Sequence, residues 1–153
     1  MKLLRLGNKG KEKPAIIDSD GDYRDLSSII NELNPDTLNF ETIEKIKHIK
    51  LSELPKLDKG NRIGSCITKP SKFIGIGLNF SDHAEETGAK PPSEPIIFMK
   101  ATSSINGPND NIELISNSKK LDWEVELGVV IGKKTKHIIE EKSQEHILGY
   151  CLV

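Results

Sequence analysis

Two cysteines in 153 residues are too few for a disulfide framework. Neither Cys66 nor Cys151 has a neighbouring Cys or His at zinc-binding spacing, which removes a structural zinc site and fits a reducing cytoplasm. Charge of one sign is also scarce. The 22 Lys and Arg residues nearly cancel the 23 Asp and Glu residues, for a formal net charge of −1. No bulk field therefore draws nucleic acid or a membrane surface. No apolar run approaches the roughly 18 residues that a membrane span needs. The opening Met1-Lys2-Leu3-Leu4-Arg5-Leu6-Gly7 has too short an apolar stretch for a secretory signal. The length suits one ordinary domain, or a small one plus part of a larger one.

What is present is a pair of glutamates in an otherwise apolar stretch. Asp122-Trp123-Glu124-Val125-Glu126-Leu127-Gly128-Val129-Val130-Ile131 is rich in β-branched and aromatic residues and reads as a strand. Alternation puts Trp123, Val125, Leu127, Val129 and Ile131 on one face and Glu124, Glu126, Gly128 and Val130 on the other. The two carboxylates then sit roughly 7 Å apart on one side. They repel and resist burial unless a cation lies between them, and all-oxygen ligation favours Mg²⁺, Mn²⁺ or Ca²⁺. A solvated strand face explains the same pattern without a metal. Trp123 reads as a core residue.

Residues 1–26 read as short strands, Lys2–Leu6 and Ala15–Asp18, with a turn at Ser19-Asp20-Gly21-Asp22. Asp25-Leu26-Ser27-Ser28 offers caps for a helix through Leu33, broken by Asn34-Pro35. Ile43, Ile46 and Ile49 give a helix over Thr42–Ile49 a narrow apolar stripe. No chemistry shows in this first unit, which ends in a polar turn near residue 60.

Beyond it, Phe73–Leu78 is a strand whose glycines, Gly75 and Gly77, admit a close neighbour. The dinucleotide fingerprint fails because position 80 is Phe. A short helix from Ser81 through Glu86, ended by Gly88, puts His83 and Glu86 on one face. A carboxylate beside an imidazole holds one tautomer and raises its basicity, so the pair suits proton abstraction from water. A chance pair on a solvated helix is the competing explanation. Lys100 closes a strand begun at Ile96 and suits oxyanion stabilisation, although a snorkelling lysine looks the same. His48, His137 and His146 read as surface residues. Asn106–Asp110 is a turn, Ile112–Leu114 a strand, and Glu140–Leu148 a helix ended by Gly149. A strand then opens at Tyr150 and the chain stops at Val153, as a truncated chain would.

Phe73-Ile74-Gly75-Ile76-Gly77-Leu78-Asn79-Phe80-Ser81-Asp82-His83-Ala84-Glu85-Glu86, Pro95–Lys100, Gly107–Asp110, Asp122–Gly132 and Gly149-Tyr150-Cys151 together resemble the fumarylacetoacetate hydrolase superfamily. The opening residues resemble the N-terminal domain of its bacterial members, of the ureidoglycolate lyase or 2,4-diketo-acid hydrolase type. The resemblance implies an α+β fold: a strand-rich mixed β-sheet roll, incomplete here, over residues 66–153, preceded by a small α+β domain over 1–65. It implies that Glu124 and Glu126 are two of three carboxylate ligands of Mg²⁺ or Mn²⁺. It further implies that His83 and Glu86 activate water and that Lys100 stands near the substrate. The third ligand, an Asp expected on the strand after Gly149-Tyr150, lies beyond Val153.

The implied activity is metal-dependent hydrolysis of a carbon–carbon bond in a 2,4-diketo acid. Ureidoglycolate cleavage, oxo-acid decarboxylation and keto–enol isomerisation stay open on the same scaffold, as do an inactive fragment and a Ca²⁺-binding module. The expected setting is cytoplasmic, with an oxo- or hydroxy-acid as substrate, a homodimer when intact, and no nucleic acid or membrane partner.

Overall fold

The computed structural model describes all of residues 1–153 except residues 87 and 89. Two compact units result: residues 1–68 with 106–153, and residues 69–105. The first opens with an antiparallel meander of β1 (Lys2–Leu6), β2 (Lys13–Ile17), β3 (Tyr23–Asp25) and β4 (Lys56–Leu57), in that order across the sheet. Turn chemistry fixes its corners. The Asp18 carboxylate accepts from the backbone N–H groups of Asp20 and Asp22, and Gly21 takes the positive φ that the turn requires.

The register separates two cores. Leu3 pairs with Ile16, and Ile16 packs with Leu26, Ile30, Leu33 and Ile46. Leu4 pairs with Ala15 on the other face, where Leu6, Tyr23, Leu57 and Ile63 gather. Helix α1 (Phe40–Lys47) delivers Ile46 to the first core. The Asn39 side chain caps it by accepting from the Thr42 N–H, so it begins two residues before the expected Thr42 and ends before Ile49.

Several of the expected elements differ. Residues 26–33 form a hydrogen-bonded turn rather than a helix, with Ile29 and Ile30 N–H groups donating to the Leu26 carbonyl. Pro35 follows too closely for further turns, and the Glu32 side chain is held by Arg5. Residues Ile112–Leu114 form no strand among the described residues; without a ladder partner, their apolar side chains stay exposed. Glu140–His146 is a 3-10 helix, and β8 (Ile147–Leu152) already begins where the helix was to continue. Gly149 lies inside β8 opposite Val130 and is not a helix stop.

Among the described residues the buried charged side chains, Arg5, Arg24 and Asp25, are all ion-paired. Arg5 in β1 meets Glu12 at 3.1 Å and Glu32 at 2.6 Å. Arg24 in β3 meets Asp18 at 2.6 Å and donates to the carbonyls of Ser52 and Leu54. Arg62 reaches Glu12 at 2.7 Å and grips Asp110 through two bonds of 2.6 and 2.5 Å, fastening the 106–110 turn to the N-terminal sheet. A fork of this kind favours the ionised carboxylate. The Arg62 guanidinium holds the Asp110 carboxyl at about 2, and the Gly107 N–H adds to the effect.

A carboxyl depressed in the folded state contributes stability above its unfolded value and loses it as pH falls through the folded one. Stability from this clamp is therefore complete above about pH 5 and fades between about pH 4 and pH 2. Denaturant midpoints measured from pH 6 to pH 2 will fall less steeply in Asp110→Asn than in the wild-type chain. Parallel curves would remove Asp110 from the acid response.

Candidate functional site

The carboxylate pair belongs to the first unit. Strand β7 (Leu127–Ile131) pairs with β8 in antiparallel register, Leu127 opposite Leu152, Gly128 opposite Cys151, Val129 opposite Tyr150. The ladder extends one step further: Glu126 and Val153 exchange N–H···O bonds of 2.8 and 3.0 Å. Residues 122–125 then lie beyond the last residue of β8. The expected strand over Asp122–Ile131 therefore starts only at Leu127. Glu124 sits in the non-strand approach, and Trp123 is 83% exposed instead of buried in a core. Register puts Glu126 on the face of Gly128 and Val130, as alternation requires, and both glutamates are exposed.

Gly128 has a steric reason to be glycine. A Cβ there would stand 2.6 Å from the Cys151 Sγ. That thiol also neighbours Cys66. Burial first, then Cys151, push the Cys66 thiol up to about 11, so it is protonated at neutral pH and is no nucleophile there.

The second unit carries the other three candidates. Strands β5 (Ile74–Gly77) and β6 (Ile96–Met99) form an antiparallel pair, with Gly75 opposite Phe98 and Gly77 opposite Ile96. The close neighbour admitted by the glycines is thus the protein's own side chain: a Cβ on Gly75 would meet the Phe98 ring at 2.4 Å. After β5 the chain turns sharply at Leu78, whose φ of 50° is rare for a branched residue. Strain of this kind concentrates at functional turns. Helix α2 (Ser81–Glu86) follows as expected and carries His83 and Glu86, one turn apart and exposed. Gly88 has a φ of 67° and donates to the Glu85 carbonyl, ending the turn. Lys100 follows β6 directly. Its N–H donates to the Phe73 carbonyl at 2.8 Å, fixing the backbone of a half-buried lysine at the strand end. An open cleft of about 360 Å³ lies in this unit between residues 76–79 and the proline-rich loop 91–95.

Sequence reasoning missed that cleft, because loop 91–95 reads only as a segment that cannot be helix. It also missed the Arg62–Asp110 fork, which joins residues 48 positions apart through chemistry common to any surface pair.

Glu124 and Glu126 suit a hard divalent cation in kind, since Mg²⁺ is held by one or two carboxylates with the remaining positions filled by water or substrate. Among the described residues no group of three or more His, Cys, Asp or Glu side chains gathers as a metal cage. The donor set present is therefore two carboxylates. No described helix is long and apolar enough to cross a membrane.

Comparison with known proteins bears on the family and the fold. A protein named "Putative hydrolase" from Burkholderia ambifaria is 48% identical over all 153 residues, and one of the same name from Burkholderia orbicola is 49% identical. The chain spans about half the length of these relatives, 54% of each. Among solved structures, "a putative HpcE protein" from Mycobacterium smegmatis matches 99% of this chain with a TM-score of 0.80 at 29% identity, the match covering 53% of that chain. A fumarylacetoacetate hydrolase from Exiguobacterium antarcticum matches 99% of this chain with a TM-score of 0.73 at 27% identity, covering 54% of that chain. The fold is thus the α+β, strand-rich fold of these neighbours, present in part. The family described as "Fumarylacetoacetate (FAA) hydrolase C-terminal" matches residues 72–153, more than half of the chain, and the chain belongs to that hydrolase family.

Proposed function

We propose that this chain supplies part of a divalent-metal-dependent hydrolase that cleaves a carbon–carbon bond in a 2,4-diketo acid of the acylpyruvate type. One observation carries the reading: all five candidate residues, His83, Glu86, Lys100, Glu124 and Glu126, lie within the stretch matched by the family. In this reading Glu124 and Glu126 hold Mg²⁺ or Mn²⁺. When bound, that cation supplies positive charge to the carboxylate and keto oxygens of the substrate.

The chain's own residues do the rest. The His83 imidazole takes a proton from water, with Glu86 holding its tautomer and balancing the imidazolium charge. The resulting hydroxide adds to the carbonyl distal to the carboxylate. The Lys100 ammonium steadies the oxyanion formed there. As the carbonyl re-forms, the bond to the central CH₂ breaks. The electron pair leaves on the enolate of a 2-oxo acid, whose carbon takes back the proton from the His83 imidazolium. Water and an acylpyruvate thus yield a carboxylic acid and pyruvate.

The intact protein is read as a cytoplasmic homodimer with a division between residues 65 and 66. The two free cysteines, Cys66 and Cys151, support the cytoplasmic part of this reading.

The test uses a fusion in which this chain replaces the matched segment of the Burkholderia ambifaria relative. Pyruvate release from an acylpyruvate will require Mg²⁺ or Mn²⁺, stop on addition of a chelator, and return with excess metal. Release that survives the chelator, or no release from any acylpyruvate in a panel, overturns the reading.

A further inference from the structure

Cys66 and Cys151 are far apart in sequence, yet both belong to the first unit and both are half-buried. Their thiols lie within hydrogen-bonding reach of each other. Each is carried on backbone that is tied down on both sides. Before Cys66, the Gly64 N–H donates to the Arg5 carbonyl at 2.8 Å, and the Ser65 carbonyl accepts from the Arg5 guanidinium at 3.3 Å. After it, the Ile67 carbonyl accepts from the Ser65 hydroxyl at 3.0 Å, and the Thr68 N–H donates to the Leu33 carbonyl at 2.9 Å. Cys151 sits inside β8 opposite Gly128, and the ladder continues past it to the exchange between Glu126 and Val153.

Directly paired residues in an antiparallel ladder share a face. On that face the partner of Cys151 is Gly128, where a Cβ would stand 2.6 Å from the Cys151 Sγ. The thiol therefore lies over the glycine, and the sulfur that meets it comes from outside the ladder, from Cys66. Two thiols held together by separately fixed segments react as an intramolecular pair, at an effective concentration far above that of a small thiol in solution. Neither cysteine is among the five candidate residues of the proposed reaction.

We propose that Cys66 and Cys151 form a redox-sensitive thiol pair, which a low-molecular-weight disulfide of the glutathione type converts into a reversible intramolecular disulfide. The Cys151 sulfur attacks the small disulfide, forming a mixed disulfide and releasing one small thiol. Cys66, a protonated thiol at neutral pH, then displaces the second small thiol and passes its proton to it. Two protein S–H bonds are lost and one protein S–S bond forms. The small disulfide takes up the two electrons and two protons and leaves as two thiols. A reducing thiol pool runs the exchange backwards, so in a reducing compartment the bond is transient.

The closed loop spans residues 67–150, which include His83, Glu86, Lys100, Glu124 and Glu126. The bond fastens β8 to the segment over residues 64–68. A cross-link over so long a loop restricts the unfolded chain far more than the folded one, so oxidation stabilises the fold.

The test treats the folded chain with oxidised glutathione at mildly alkaline pH. Both thiols will be lost, the mass will fall by two hydrogens with no glutathione retained, and the product will run as a single chain. Dithiothreitol will restore both thiols. Closure will be faster than in the urea-unfolded chain by about tenfold or more. The closed form will melt higher by about 5 °C or more. Cys66→Ser will stop at a mixed disulfide on Cys151.

Glutathione retained on both sulfurs, a disulfide between copies, untouched thiols, or equal closure rates in the folded and unfolded chain each overturn the proposal. A Cys66→Ser chain without an adduct overturns the role given to Cys151. The fusion described above gives a second readout in a longer protein. After the same oxidation and protease digestion, a disulfide-linked peptide pair containing Cys66 and Cys151 will appear, and it will vanish on reduction. Its absence overturns the proposal. None of these measurements reads hydrolysis, so the thiol pair is judged apart from the proposed reaction.

Discussion

Arg5→Ala will lower the stability of the folded chain by about 3 kcal/mol, seen as a fall in the urea midpoint at pH 7 with an unchanged slope. The guanidinium is 5% exposed and touches three groups at once: Glu12 at 3.1 Å, Glu32 at 2.6 and 2.9 Å, and the Ser65 carbonyl at 3.3 Å. Truncation leaves two carboxylates short of a cation next to a packed sheet. Removing one partner of a buried pair costs about 3–5 kcal/mol because the surviving charge keeps its desolvation penalty.

The lower end applies because neither acid is left wholly alone. Glu12 keeps Arg62 at 2.7 Å and the Gly10 N–H at 2.9 Å, and Glu32 keeps the Leu33 N–H at 2.9 Å and is a quarter exposed. A loss under about 1 kcal/mol would mean that the cluster behaves as a surface pair, and the view of Arg5 as a buried tie would be wrong.

His83→Ala in the fusion protein will reduce kcat for acylpyruvate hydrolysis by roughly 10² to 10⁴, the range that general-base catalysis supplies. KM will stay within about threefold, since the proposed role is proton transfer and not substrate binding. Alanine is the best helix former, so α2 itself is not expected to unwind. His83→Gln provides the complementary readout. It keeps a polar side chain but cannot take the proton, so it will be as slow as His83→Ala. A glutamine variant with near wild-type kcat would make the histidine a positioning group and sink its role as base.

The elements that local pattern dictates were legible in the sequence. Apolar runs marked β1 and β5, alternation set the faces of β7 although its start came out five residues early, and the glycine-rich stretch with the short helix after it placed His83 and Glu86 on one turn. Elements that depend on distant partners were not. Residues 122–125 carry the same strand propensity as 127–131, and the paired ladder ends at Glu126 opposite Val153. Trp123 follows from the same cause: its core role presumes a strand continuing to it. The turn at 26–33 has helical spacing, but Arg5, far away in sequence, claims Glu32 and Pro35 ends the segment. The glutamate pair was visible as a pattern. Its exposure was not, since burial depends on what packs over residues 124 and 126.

The segment from 69 to 105 leaves one platform and returns to it. At its departure the Thr68 N–H is tied to the Leu33 carbonyl; at its return Asn106 accepts from Lys9, and Arg62 locks the turn that follows. Both ends are moored before a single residue of the segment is counted. Loop closure grows only with the logarithm of length, so a longer or shorter excursion costs the platform little. Residues 69–105 are therefore built like an exchangeable cassette, tolerant of changes in length while the moorings stay where they are.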